Sequence, residues 1–309
     1  MRSLLLVGAG ACVLSTGAYA QAPATGPLAL LLPASTRAMA QGNGGVAGRD
    51  DDVIFYNPAQ LINVRGGFNT TLARYGSSST LVAMSSAFTG GPLSLGWGVQ
   101  YVNFSTQPGA TYPFTPDVLT GRGPVNASSL VAAVGAAMVY KGFRIGIAAK
   151  YAEDRLSVGT GPVATPPALH GIFVGDAGVS HPLWGGTAGL SVQNVGRDSF
   201  RSGDAVHAPL QTSLGWSVLK QVGELDVGVT AQLAARKGWI TPGAGVEVGY
   251  TWIEGYGMTL RAGAHRAETG AERPFGAGFS FNADRLTIDY GLQFFDGGQT
   301  AHRMTFRWR

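Results

Sequence analysis

The chain has 309 residues, a formal net charge of +4, 13% charged and 45% hydrophobic side chains, and 47 glycines. Soluble domains carry roughly a quarter charged residues, which argues against a water-facing β-sandwich of this length, and so small a charge with no basic tract leaves no footprint for nucleic acid. No apolar run long enough for a membrane helix follows residue 20, which excludes a helical inner-membrane protein.

Residues 1–20 have the form of an export signal. Arg2 precedes the apolar stretch Leu4–Leu14, and Ala18-Tyr19-Ala20 offers a small-x-small cleavage site before Gln21. Cys12, the one cysteine, lies in this segment, so the mature chain is expected to carry no disulfide and no cysteine metal site.

Residues 21–65 form the next unit, and 27–62 are not strand-like. Ser35 or Thr36 can cap a short helix through Arg37 to Gln41 that Gly42 stops. After Gly42-Asn43-Gly44-Gly45 and the acidic Asp50-Asp51-Asp52 comes Phe55-Tyr56-Asn57-Pro58-Ala59. Asn57 suits an N-cap, and Pro58 suits the first helical position, where a missing N–H has no consequence.

From residue 66 to 309 the chain alternates. Leu93, Leu95, Trp97, Val99 and Tyr101 oppose Ser94, Gly96, Gly98 and Gln100, and Phe143, Ile145 and Ile147 oppose Arg144, Gly146 and Ala148. The pattern recurs at Leu225–Leu233 and Leu286–Phe294 and closes with Met304, Phe306 and Trp308. About fourteen such runs of nine to eleven residues predict an all-β, antiparallel transmembrane barrel. Tight links at Thr89–Pro92, Lys141-Gly142, Pro182–Gly186, Lys220–Gly223 and Ile253–Gly257 mark one end, read as periplasmic. Longer ones, Ser105–Ser128, Asp154–Leu169 and Gly196–Val206, mark the extracellular end. Tyr140, Trp184, Trp216, Trp252, Tyr256 and Trp308 near the first end, and Tyr101, Tyr151 and Trp239 near the second, read as interfacial girdles.

The order Arg37-Ala38-Met39-Ala40-Gln41-Gly42, Gly44-Gly45-Val46-Ala47, Asp51-Asp52 and Phe55-Tyr56-Asn57-Pro58-Ala59 resembles the N-terminal region of the PorV/PorQ proteins and the wider FadL-like outer-membrane family. The resemblance implies a hatch inside the lumen of a fourteen-stranded barrel. For FadL-like transporters it implies passage of hydrophobic molecules with lateral exit; for PorV-like members it implies a part in protein secretion. The loops are too small for the helical capture region of long-chain fatty acid transporters, which sets a fatty-acid specificity aside.

A barrel this wide is not filled by side chains alone, and 21–65 is the expected plug. Inward charges are mixed: Arg144, Lys150, Arg261, Arg303 and Arg307 against Asp176, Asp226, Glu247 and Asp289. Mixed signs read as a pairing network rather than an ion filter. The tight turn near Gly255 puts Glu247 across from Arg261, and the last hairpin brings Asp289 near Arg303 or Arg307. Asp50 to Asp52 would then dock on the remaining arginines; the alternative is solvated lumen charges without a role. The five histidines, His170, His181, His207, His265 and His302, stand singly, with no hydrolase, zinc or phosphate-loop signature. The expectation is no enzyme and no cofactor, but an outer-membrane channel, in contact with membrane lipid, for a small hydrophobic ligand. The alternative is a PorV-like subunit binding a secreted protein or secretion-system partner through the two longest loops, with Tyr112 and Phe114 at the lip. A dry, apolar pocket would favour transport, and a polar, filled lumen the partner role.

Overall fold

The computed structural model describes residues 27–64, 66–75, 79–106, 125–158, 168–196, 199–201, 204–206, 208–236, 238–268 and 272–309. The expected signal peptide and the tips of the two longest connections, Tyr112 and Phe114 included, lie outside the described residues. Strands are β1 (Gly67–Tyr75), β2 (Ser79–Gly90), β3 (Leu93–Thr106), β4 (Val125–Tyr140), β5 (Phe143–Val158), β6 (Ala168–Leu183), β7 (Gly186–Val195), β8 (Ser199–Arg201), β9 (Asp204–Val206), β10 (Gln211–Val222), β11 (Leu225–Arg236), β12 (Trp239–Ile253), β13 (Tyr256–His265), β14 (Glu272–Ala283), β15 (Leu286–Phe295) and β16 (Thr300–Trp308). All but β8 and β9 form one closed antiparallel barrel of fourteen strands, sealed where β1 pairs with β16 from Phe68 opposite Trp308 to Tyr75 opposite Ala301. β8 and β9 make a small separate hairpin in the β7–β10 connection, which the sequence alone reads as a plain loop. Among the described residues no helix is long and apolar enough to cross a membrane.

The wall is inside out relative to a soluble protein. Leu95, Trp97, Ile147, Phe173, Val246 and Leu260 are exposed on its outer face, while Ser94, Gln100, Asp176 and Glu247 are buried on the inner one. Two-residue turns join the strands at one end. At Lys141-Gly142 and Trp184-Gly185 both residues have positive φ, the type I′ geometry whose twist suits a hairpin. Tyr140 accordingly pairs with Phe143.

Strand lengths depart from the nine to eleven residues expected. β4, β5 and β6 each run 16 residues. In β4 and β5 the extensions toward the longer connections carry Ser128, Ser129, Asp154 and Arg155, and with polar residues on both faces the apolar alternation that marks a strand in sequence is lost there. Three strand pairs shift register, β12 with β13, β14 with β15 and β6 with β7; in the last the shift lies between Gly175 and Ala177, so Asp176 faces both Gln193 and Asn194. Asn194 has φ of 59°, and its N–H, turned off the ladder, donates to Asp176 Oδ1 at 2.8 Å, the geometry of a β-bulge.

Residues 27–64 run around the inner face of this wall. Helix α1 (Thr36–Ala40) lies against β13 to β16. The chain then passes Gly243 with Gly42, Gly215 with Val46, Gly178 with Asn57, Gly146 with Pro58 and Ala59, and Gly96 with Leu61 before it enters β1. Its glycine neighbours are spread over most of the circumference because a backbone laid flat on a sheet leaves no room for a Cβ.

Candidate functional site

Each half of the interior segment is shaped by local chemistry. Ser35 caps α1, its Oγ accepting from Ala38 N at 3.1 Å, and Gly42 leaves the helix with φ of 64°. Asn57 caps the 3-10 turn Pro58–Asn63, its Oδ1 accepting from Ala59 N at 3.1 Å, with Pro58 at the first position. The sequence predicts a cap and a helical turn there, and the turn is 3-10 rather than α. Asn57 also donates from Nδ2 to Val46 O at 3.0 Å. The hydroxyl of Tyr56 accepts from Ala34 N at 2.9 Å and Ser35 N at 3.2 Å. Phe55 packs edge-on against Gly98 and joins apolar clusters on both sides of the segment.

Of the lumen residues singled out from sequence, Glu247, Arg261, Asp289 and Arg307 come together, and three residues of the segment complete their arrangement. Arg261 donates to Glu247 at 3.2 Å and to Asp289 at 2.6 Å, and Arg307 donates to Asp289 at 2.8 Å. Asp50 then bridges Arg307 at 3.1 Å and Arg37 at 3.6 Å, and Arg37 closes the circuit on Glu247. Arg49 adds a further contact to Glu247 at 2.7 Å. Four guanidinium groups and three carboxylates thus form a ring and one branch, with one positive charge in excess. The branch, Arg49, has a side chain 41% exposed, so the excess charge sits where water reaches it. Asp50 shows how the balance falls out. Burial opposes its ionisation, but Arg307 and then Arg37 outweigh that and hold its carboxyl well below the ordinary range.

The remaining residues go elsewhere. Lys150 pairs with Asp176 at 2.6 Å beneath the β6–β7 bulge, both side chains buried. Arg303 donates to the carbonyls of Pro33 and Ala34, clamping the start of the segment. Arg144 stands half-buried with Nη1 lacking a hydrogen bond among the described residues, and Asp226 is half-buried near a tight turn. Thr36, Thr305 and Thr71 form a buried hydroxyl chain between α1 and the wall at 2.6 and 2.7 Å. Arg49 and the amides Gln193 and Gln211 are not singled out in sequence, and Arg37 enters there only as part of a short helix and of the N-terminal motif. The only signal for the arginines is their isolation in a glycine- and alanine-rich stretch.

His265 donates from Nε2 to the Glu272 carboxylate, 2.8 Å away. His181 stacks on Phe143 at 4.6 Å, and His302 meets the Tyr290 hydroxyl at 2.7 Å on the outer face. His207 and the side chain of His170 lie outside the described residues. Among the described residues no group of three His, Cys, Asp or Glu side chains could hold a metal ion.

Two clefts flank the segment. One, an open space of about 460 Å³ on the tight-turn side, is lined by Ser35, Arg37, Arg49, Asp50, Ser217 and Glu247 among others. The other, about 530 Å³ on the side of the longer connections, is lined by Leu30 to Leu32, Phe55, Lys150, Gln193 and Gln211 among others. Tyr56 and Ala34 border the second and Ser35 the first, so the Tyr56 hydroxyl and the two amides it accepts from lie between them.

No family model matches the chain, and no curated protein matches it. Among solved structures it is similar to a Pseudomonas aeruginosa FadL homologue, with 13% identity over 94% of this chain and 98% of that one and a TM-score of 0.54. It is similar to the P. putida toluene transporter TodX, with 9% identity over 88% and 95% of the chains and a TM-score of 0.57. A TodX deltaS2S3 mutant monoaromatic hydrocarbon channel gives 10% identity, 88% and 97% coverage and a TM-score of 0.60. At such identities the likeness is one of fold, and the fold is that of a FadL-like barrel.

Proposed function

We propose that the protein is a channel in the outer membrane of a Gram-negative type of cell, passing small hydrophobic compounds without a cofactor, with residues 21–65 as its hatch. The observation that carries this is the pair of clefts separated by one segment. From Thr36 to Asp50 the segment rests on the wall through glycines, a ring of ion pairs and a few hydrogen bonds, a seat that a modest rearrangement can open. The exposed apolar wall supports the location, since lipid rather than water suits it. The FadL-like fold supports the substrate class, and the β6–β7 bulge beside the second cleft is the place where a lateral exit would need least change. Extraction of the native, tagged protein in mild detergent followed by mass spectrometry of what stays bound tests the reading. A hydrophobic compound near one per chain, lost on Asn57→Ala, is the expected result; its absence from every preparation counts against a channel.

A second reading, a PorV-like subunit that binds a secreted protein or secretion component, is favoured by the polar groups on the cleft beside the longer connections, Lys150, Gln193, Asn194, Gln211 and Glu268. In the same extraction it calls for a stable protein partner and no small molecule.

A further inference from the structure

The cleft on the side of the longer connections joins an apolar strip, Leu30 to Leu32 with Phe55, to a set of amides. Their orientation is fixed by their neighbours. Backbone carbonyls only accept, so the Gln193 atom 2.9 Å from Phe55 O and 2.6 Å from Tyr56 O is Nε2. Gln193 Oε1 therefore faces Gln211, which presents its own Nε2 at 2.9 Å and shares it with Ser213 Oγ at 3.1 Å. Gln211 Oε1 is left without a partner among the described residues. Asn43, on the same cleft, has an Oδ1 that is buried and also without a hydrogen bond among the described residues. The cation present is engaged: Lys150 Nζ forms an ion pair with Asp176 at 2.6 Å and donates to Asn194 Oδ1 and Phe55 O, both at 3.4 Å. Glu268, also on the lining, gives one oxygen to Arg236 at 2.7 Å.

The cleft thus offers an apolar wall, unmet acceptors and no free cation. We infer that it takes an uncharged amphipathic compound, an apolar body bearing a hydroxyl or N–H that donates to Gln211 Oε1, and that it turns carboxylates away. A carboxylate there would find no unengaged cation and would lie near Asp176 and Glu268. The inference rests on the channel reading and narrows it.

Three probes of one shape separate the cases: naphthol, naphthalene and naphthoate, titrated by calorimetry into the full-length protein in lipid nanodiscs, with empty discs as the blank for partitioning. Naphthol is expected to bind roughly tenfold tighter than naphthalene, the effect of one neutral hydrogen bond, and naphthoate not at all. Gln211→Met should abolish the advantage of naphthol while leaving naphthalene affinity unchanged, which shows the cleft intact. Equal binding of naphthalene and naphthol, or tightest binding of naphthoate, overturns the inference and leaves the channel reading standing. If none of the three binds to the protein or crosses vesicles that contain it, both fall.

Discussion

Asn57 holds two distant stretches of the segment at once, capping the turn that follows it and reaching back to Val46, and it is fully buried while doing so. Its Oδ1 lies so close to Gly178 that a Cβ there would collide with it, whereas a Cβ at Gly175, three residues earlier on β6, would meet nothing nearer than 3.6 Å. Gly178→Ala should therefore loosen the segment, read as new protease cleavage within 27–64, and Gly175→Ala should not; equal resistance of both would refute a tight seat at Asn57. Asp289 is the other residue with little freedom, fully buried between Arg261 and Arg307. Asp289→Asn removes the charge both guanidinium groups face, and breaking a buried pair from one side costs about 3–5 kcal/mol. Urea unfolding in lipid vesicles should show a loss of that order. The caps and the Glu247–Arg261 register pair are legible in sequence because each depends on a short-range rule: a cap residue before a helical turn, or a tight turn that sets who stands opposite whom. The roles of Arg37, Arg49 and Gln193 are not, because the groups they meet between segment and wall lie more than a hundred residues away and the path of the segment around the wall sets the pairing.

At the scale of elements, the interior segment has two kinds of seat. From Val53 to Val64 it buries Val53, Ile54, Leu61 and Val64 against Ala87, Ala133, Ala137 and Ala148, small wall residues that accept larger side chains. From Thr36 to Asp50 it is held by hydroxyls, glycine contacts and the ion-pair ring. Opening free energies differ between such units, so Glu247→Gln should raise amide exchange over 36–50 and leave 53–64 protected. Uniform exchange along the segment would show that it moves as one body. Acid acts on the same half through Asp50. Its folded carboxyl titrates below its unfolded value of 3.8, so its contribution is complete above that value and is lost as pH falls through the lower, folded one. Exchange over 36–50, corrected for intrinsic rates, should be flat from about pH 5 upward and rise only below about pH 4. The Asp50→Asn chain should be loosened at neutral pH already. The strands themselves are readable wherever one face meets the apolar exterior and the other the lumen, and unreadable in the upper stems of β4 and β5, where that contrast ends.

The whole molecule places polar, mutually paired side chains inside an apolar-coated cylinder of fourteen strands, and such a cylinder is too wide to be closed by its own wall. On the channel reading the segment is what closes it, held both by the wall alanines under its apolar half and by charged and hydrogen-bonding wall groups that water can also satisfy. Removing residues 27–64 should therefore leave a barrel that still folds, since Arg261 and Arg307 keep Glu247 and Asp289 as partners across adjoining strands, and water can solvate Arg303 and Lys150. In planar lipid bilayers the intact chain should show little steady current and the shortened chain a stable, ohmic one. A shortened chain that inserts, resists protease as a barrel and still carries no current would mean that the lumen is closed by something other than this segment, and the gating role would have to be given up.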